Sequence, residues 1–481
     1  MMSILKLLLA LQAPLTPGVT ALSAPVDSVA LSLPDALSRA LRIGDEARAA
    51  AAQVDVTDAQ VTIARAAGLP QLRLTSSQSH VYESARAAAV GAIFNQPNTY
   101  TSNATISQTL FQGGRVVAAS RAASNLRNAS RLDQTEILAQ VSIDVQRAYL
   151  QALFAGTLAE IQDTAYALAG ERLGQVQQFE KAGRASRYDV LRAQVERANL
   201  QPAVIQARSD VELALVELKR LINTPPGQAL KLTTRIDTAS VLRWIADLRA
   251  DSRGVDRAAV RSAQLVANAR HSAISVARAD LLPTVSINGV LGGQAFPLTG
   301  FPTQRGRFEP VTCPAGSPTD RVCTAQNGGW FRDRSFGLQI AWPIFDGLRA
   351  KGAIDLASAQ ARLADLELAR TRERIASEAA ASRAELDRAE ALFAARGQNA
   401  DQAAEAFKLA SLRYSRGLAT QLEVADAQLA LTVARTNEAR AVYDLYLAAA
   451  GYSRAIGRSP HLFDIPGAPR TALPPSAKSE P

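Results

Sequence analysis

The chain has 481 residues, enough for about three ordinary domains on length alone, and 53 Lys and Arg against 44 Asp and Glu give a formal net charge of +9. Arg and Glu are interspersed along Ala-rich stretches, as on a solvated helical surface, so the basic balance does not point to nucleic acid. The two cysteines and three scattered histidines offer no zinc-like spacing and no catalytic cluster, and no Gly-x4-Gly-Lys-Ser/Thr loop occurs; no enzymatic activity, cofactor or metal is expected.

Residues 1–23 read as a secretory signal. Lys6 precedes the apolar run Leu7–Leu11, and small-residue cleavage sites such as Val19-Thr20-Ala21 follow. Export to an oxidising compartment makes a local disulfide between Cys313 and Cys323 the natural expectation. Nowhere else do about 20 uncharged apolar residues run together, so no transmembrane helix is predicted.

Beyond the signal, Ser32 and Pro34 mark the start of a helix that extends to about Gly68 and is stopped by Pro70. A strand is predicted at 71–82, with Leu72 and Leu74 alternating against Arg73 and Thr75. A loop with Gly91, Asn95 and Pro97 follows, then a strand at 101–111 with Ala104, Ile106 and Leu110 on one side. A first long helix takes 114–181, and its Val141, Val145, Ala148 and Ala152 are spaced 4-3-4, as in a coiled-coil seam. Gly183 breaks it, Ser186 caps a returning helix to about Asn223, and residues 224–254 form a small connecting element around Trp244. The order then recurs: helix 255–281, strand 284–294, a loop at 296–334, strand 335–345, a long helix 349–416, the Gly417 turn and a helix to about Ile456. The strand at 335–345 places Phe336, Leu338, Ile340, Trp342 and Ile344 on one face, and the long helix after it reaches about 100 Å. The equivalent seam residues are Ile375, Ala379, Ser382 and Leu386, and a Pro-rich tail fills 458–481.

The recurrence is an internal duplication. Val61–Pro70 matches Ile274–Pro283 at an offset of 213, whereas Leu110–Arg115 matches Ile344–Arg349 and Gly183–Gln194 matches Gly417–Gln428 at 234. The constant second offset gives both copies one helix length, and the 21 extra residues fall in the loop at 296–334. The chain therefore divides into a first repeat (24–223), a connecting element (224–254) and a second repeat (255–457).

Four strands of roughly ten residues have the length of membrane-spanning β-strands, but four cannot close a barrel and an open edge cannot face lipid. Three copies would supply 12 strands, with the helices extending the wall as a coiled-coil cylinder. A soluble helical scaffold with the strands as a cap is the alternative; it would leave the apolar strand faces needing another partner.

In Leu31–Leu37, in the Ala-Arg to Leu-Pro motifs at 64–70 and 277–283, in Ser107–Gly114 and Pro343–Gly347, and in the two Gly turns, the sequence resembles the TolC family of bacterial outer membrane efflux proteins. The resemblance spans about residues 31–457. It implies a fold that is mainly α with membrane β: a homotrimer whose 12-stranded outer-membrane barrel continues into a periplasmic α-helical coiled-coil tunnel. It also implies partnership with a periplasmic adaptor and an inner-membrane pump, with small-molecule efflux as the function and type I protein secretion with an ABC transporter as the alternative. By matching positions, Gly183 and Gly417 mark turns that touch the adaptor, and Asp189, Tyr414, Glu423 and Asp426 fall at the periplasmic entrance. Glu423 and Asp426, one turn apart, would converge as six carboxylates in three chains. Arg192 occupies the first-copy equivalent of Asp426, so the two copies differ in charge. Ala419 and Tyr188 depart from the family pattern, leaving Arg184 or Arg192 to brace the closed state.

Overall fold

The computed structural model describes residues 29–83, 85, 97–251, 255–312 and 323–458. The expected signal at 1–23, Cys313, and all but Arg458 of the Pro-rich tail lie outside these residues.

A short strand absent from the sequence reading, β1 (Val29–Leu31), opens the described chain. Ser32 then caps α1 (Leu33–Ile43), its hydroxyl accepting a hydrogen bond from the Asp35 amide at 3.3 Å. The single helix expected to run to Gly68 is instead two, because Gly44 adopts extended backbone before α2 (Asp45–Ala66). A Cβ at Gly44 would lie 2.3 Å from the Ala40 carbonyl oxygen, so only glycine fits this tight junction.

The strands β2 (Gln71–His80) and β3 (Asn98–Gln112) follow, then the 67-residue α3 (Arg115–Lys181) and the returning α4 (Arg187–Leu221). The connecting element holds β4 (Leu230–Leu232), which pairs in parallel with β1, and α5 (Thr238–Ala250). The second half runs α6 (Ala258–Arg278), a 3-10 turn (Ala279–Leu281) and β5 (Thr284–Ala295). The short strands β6 (Phe308–Val311) and β7 (Cys323–Gln326) pair with each other, so the loop expected at 296–334 carries a hairpin of its own. Cys323, on β7, is disulfide-bonded. The half closes with β8 (Trp330–Ala341), the 67-residue α7 (Arg349–Ser415) and α8 (Gln421–Ala455).

Two details of the strands differ from expectation. The strand predicted at 335–345 is shifted to 330–341: its pairing with β5 runs up to Trp330 opposite Ala295 and ends at Ala341. Pro343 has no amide to extend the ladder beyond that point. In β3 a bulge between Thr109 and Phe111 turns the register over. Phe111 pairs with Val285, on the side of Ala104 and Ile106 where Leu110 was expected.

The core lies where α1, the β1–β4 pair and α5 wrap the middle of the long helices. Leu33, Leu37, Tyr149, Leu218, Ile245 and Leu445 are fully buried there. The Tyr149 hydroxyl donates to the Leu31 carbonyl at 2.9 Å and accepts from the Thr234 amide at 3.2 Å, tying the connecting element to α3. The seams are populated as their spacing predicts: Val141, Val145, Ala148 and Ala152, and likewise Ile375, Ala379 and Leu386, are buried, with Ser382 half-buried.

Candidate functional site

Two regions stand out from this frame: the four-stranded sheet at one end of the helices and the paired turns at the other.

The sheet runs in the order β2-β3-β5-β8, antiparallel throughout, with β2 and β8 at its edges and, among the described residues, a single bridge from Trp330 to Arg305 on the β8 edge. Register and the period of two sort its side chains. One face carries Leu72 and Leu74 on β2, Ala104 and Ile106 on β3, Ile287 and Leu291 on β5, and Phe336, Leu338 and Ile340 on β8. Phe336 is 78% exposed and Leu72 77%, so among the described residues this apolar face has no partner. The opposite face is small and polar, with Thr75, Ser77, Asn103, Thr105, Asn288 and Gln339. Asn288 donates to Gln339 at 3.3 Å across it. An apolar outside and a hydrogen-bonding inside is the pattern of a barrel wall in lipid. Among the described residues no helix is long and apolar enough to cross a membrane.

At the far end both long helices stop in the same way. Gly183 and Gly417 have φ of 71° and 75°, the left-handed conformation glycine adopts without strain. The Arg184 amide bonds the Phe179 carbonyl at 2.7 Å, and the Leu418 amide bonds the Arg413 carbonyl at 2.8 Å, closing equivalent six-residue turns. Capping boxes then start the returning helices. Ser186 and Asp189 cap each other's backbone amides on α4, and Thr420 and Glu423 do the same on α8.

These turns place the expected entrance residues. Asp189 spends its Oδ2 on the Ser186 amide (2.9 Å) and hydroxyl (2.7 Å), and those hydrogen bonds hold its carboxyl below the usual carboxylate range. Arg192, one turn further along α4, adds a smaller pull in the same direction. Glu423 likewise serves its own cap, while its Oε2 lies 3.7 Å from Arg413 Nη1. Glu423 and Asp426 are exposed, one turn apart on α8. Tyr414 is half-buried against Phe179, their rings 6.0 Å apart. Burial, then the negative charge of Asp189, raises its phenol above the usual value against the opposing pull of Arg172. Arg184 stacks over the Phe179 ring at 4.6 Å, and its Nη2 lies 4.0 Å from where a Cβ on Gly417 would sit. The two turns therefore touch, and Asp189 and Tyr414 belong to one cluster.

The sequence reading missed the centre of that cluster. Arg172 on α3 is buried and bonds Glu196 of α4 at 2.9 Å and the Gln428 side-chain oxygen of α8. Gln428 in turn donates to the Ala165 carbonyl at 2.9 Å. Desolvation lowers the Arg172 pKa, with Glu196 and Tyr414 opposing it. The signal was present: Ala165, Ala169, Arg172 and Val176 are spaced 4-3-4, so a charge occupies a seam position.

A second buried ionic cluster joins the halves near the connecting element. Arg257 precedes α6 and forms two bonds to Glu136 on α3, and its Nη1 lies 3.1 Å from Glu378 of α7, which also binds Arg454 of α8 at 2.9 Å. Glu136 caps α6 as well, accepting from the Ala259 amide at 3.1 Å. Burial would raise its carboxyl, but the bonds from Arg257 and Ala259 outweigh that and hold it low.

Comparison with known proteins agrees with this architecture. The family model for outer membrane efflux proteins matches residues 36–224 and 255–458. Protein CyaE of Bordetella pertussis is 27% identical over 367 residues, covering 74% of this chain and 69% of its own length. Among solved structures, the outer membrane protein VceC of Vibrio cholerae superimposes with a TM-score of 0.68 at 19% identity, covering 89% of this chain and 97% of its own. The CmeC outer membrane channel of Campylobacter jejuni gives 0.71 at 16% identity, covering 88% and 85%. The open state of the MtrE outer membrane channel of Neisseria gonorrhoeae gives 0.67 at 19% identity, covering 90% of each chain.

Proposed function

The chain belongs to the outer membrane efflux protein family, and from that premise we propose that three copies form an exit duct carrying small molecules out of the cell. The protein is a channel component of the outer membrane and not an enzyme. In the proposed duct β8 of one copy pairs with β2 of the next, completing a 12-stranded barrel, and the helices line a periplasmic tunnel. A periplasmic adaptor docks at the Gly183 and Gly417 turns and links the duct to an inner-membrane pump. The observation that carries this reading is the open sheet: among the described residues its apolar face has no partner and its edges stay unpaired apart from the Arg305 bridge at Trp330, yet lipid tolerates neither a free edge nor an unpaired backbone group.

The turns form the entrance. Asp189, Tyr414 and Arg192 brace it, and Glu423 with Asp426 from three copies form a ring that favours cations. Deletion of the gene tests the cargo class. Cells lacking the protein are expected to accumulate small amphiphilic dyes and to regain extrusion when the gene is restored. Unchanged dye accumulation together with loss of a secreted protein from the medium would replace efflux by protein secretion.

A further inference from the structure

The apolar face of β8 does not stay apolar. Phe336, Leu338 and Ile340 share their side of the strand with Arg334 and Arg332, both exposed. At the top of the same edge, Arg305 is bridged in parallel to Trp330, so its side chain shares the face of Trp330, Arg332 and Arg334. The Gly306 amide bonds the Trp330 carbonyl at 2.7 Å and the Trp330 amide bonds the Gln304 carbonyl at 2.9 Å, which fixes this segment. Three guanidinium groups therefore stand on the lipid side of the wall. Among the described residues none of the three has an ion-pair partner, whereas neighbouring Arg307 is paired with Glu309 at 2.8 Å.

Depth decides what they meet. Trp342, whose indole donates to the Leu281 carbonyl at 3.2 Å, marks the helix-side border of the apolar band. Arg332 lies ten residues up the chain from it, about 34 Å along a strand at roughly 3.4 Å per residue. With a strand tilt of about 40° this is a rise of about 26 Å, close to the roughly 25 Å height of an outer-membrane apolar band. Arg334 starts about 5 Å lower, within reach of the same border for a long side chain that snorkels. The helices extend from the opposite edge of the sheet, so this border faces the outer leaflet.

Among the described residues no carboxylate is paired with the group. The lipid-side positions of β2, β3 and β5 carry none, and β2, which the neighbouring copy would lay against β8, presents Leu72, Leu74, Ser76, Gln78 and His80 there. We propose that Arg305, Arg332 and Arg334 form a binding site for the phosphate groups of a phosphorylated glycolipid of the outer leaflet, of the lipid A type. Guanidinium forks match phosphate oxygens in paired hydrogen bonds, and their placement beside an apolar wall lets the acyl chains pack on Phe336 and Leu338. The site rests on the barrel reading for the orientation of this face.

The test is native mass spectrometry and titration of the full-length protein in detergent with bisphosphorylated lipid A, dephosphorylated lipid A and inorganic pyrophosphate. Bisphosphorylated lipid A is expected to bind the unaltered protein, and Arg332→Gln with Arg334→Gln to weaken it roughly thirtyfold, at about fivefold per arginine near a charged membrane surface. Arg307→Gln should leave binding unchanged. Equal binding of dephosphorylated lipid A, equal binding by the double variant, or displacement by equimolar pyrophosphate would each overturn the proposal. If the double variant does not assemble, the comparison of the two lipids on the unaltered protein decides. The oligomeric mass in the same spectra separates failure of the lipid site from failure of the trimeric duct.

Discussion

Arg172 gives the cluster at the paired turns its geometry, because one buried guanidinium holds Glu196 of α4 and Gln428 of α8 at once. Removing one partner of a buried ionic contact strands the other, so Arg172→Ala should lower stability by about 3 kcal/mol. Hydrogen exchange should speed up around residues 165–176 and 424–431, and unchanged protection there would contradict the latch. The proposed ring makes a separate prediction: replacing Glu423 and Asp426 together by Ala should weaken block of single-channel current by polyvalent cations. Unaltered block would remove both residues from the constriction. Glu136 supplies the pH dependence. Its folded pKa is depressed, so its contribution is complete above the unfolded carboxylate pKa of about 4.3 and is lost as pH falls through the folded value. Melting temperature should therefore drop below about pH 4, and Glu136→Gln should flatten that drop; identical profiles would sink the assignment. Of these groups Asp189, Tyr414, Glu423 and Asp426 are singled out in the sequence only through positions matched by the family resemblance. Arg172 and Arg257 stayed hidden because an arginine within an Arg-rich helical surface reads as solvated until the partner helices are in place.

The helices, turns and strands were more legible than their joints. Seams of Val, Ala and Ile at 4-3-4 spacing persist over dozens of residues, and alternation in β8 survives a shift of its ends. The hairpin β6–β7 escaped because its strands are four residues each and one contains Pro310, and β1 escaped because three residues carry no period. The bulge in β3 depends on pairing with β5, which no single strand reveals. Both Gly turns were read correctly, since each glycine is followed three residues later by a hydroxyl cap. Their left-handed φ makes Gly183→Val and Gly417→Val strained by roughly 1–2 kcal/mol each. A loss of stability of that size in either variant, measured by denaturant unfolding, supports the shared turn geometry; no loss contradicts it.

Duplication has produced two copies with one skeleton and different buried polar groups. Arg172 has Ala406 as its second-copy equivalent, and Arg257 stands where the first copy has Gly44. The molecule thus combines pseudo-symmetric helices with an asymmetric set of internal ties, and these join the halves near the connecting element and at the turns. Its sheet is the part that one chain leaves unfinished. Four strands with an apolar outer face and open edges require neighbours, and in the proposed duct β8 closes against β2 of the next copy to give three chains and 12 strands. The mass of the particle extracted from membranes in mild detergent tests this most directly. The duct requires a mass of three chains that persists on dilution; a particle of one chain, released into water without detergent, would contradict it.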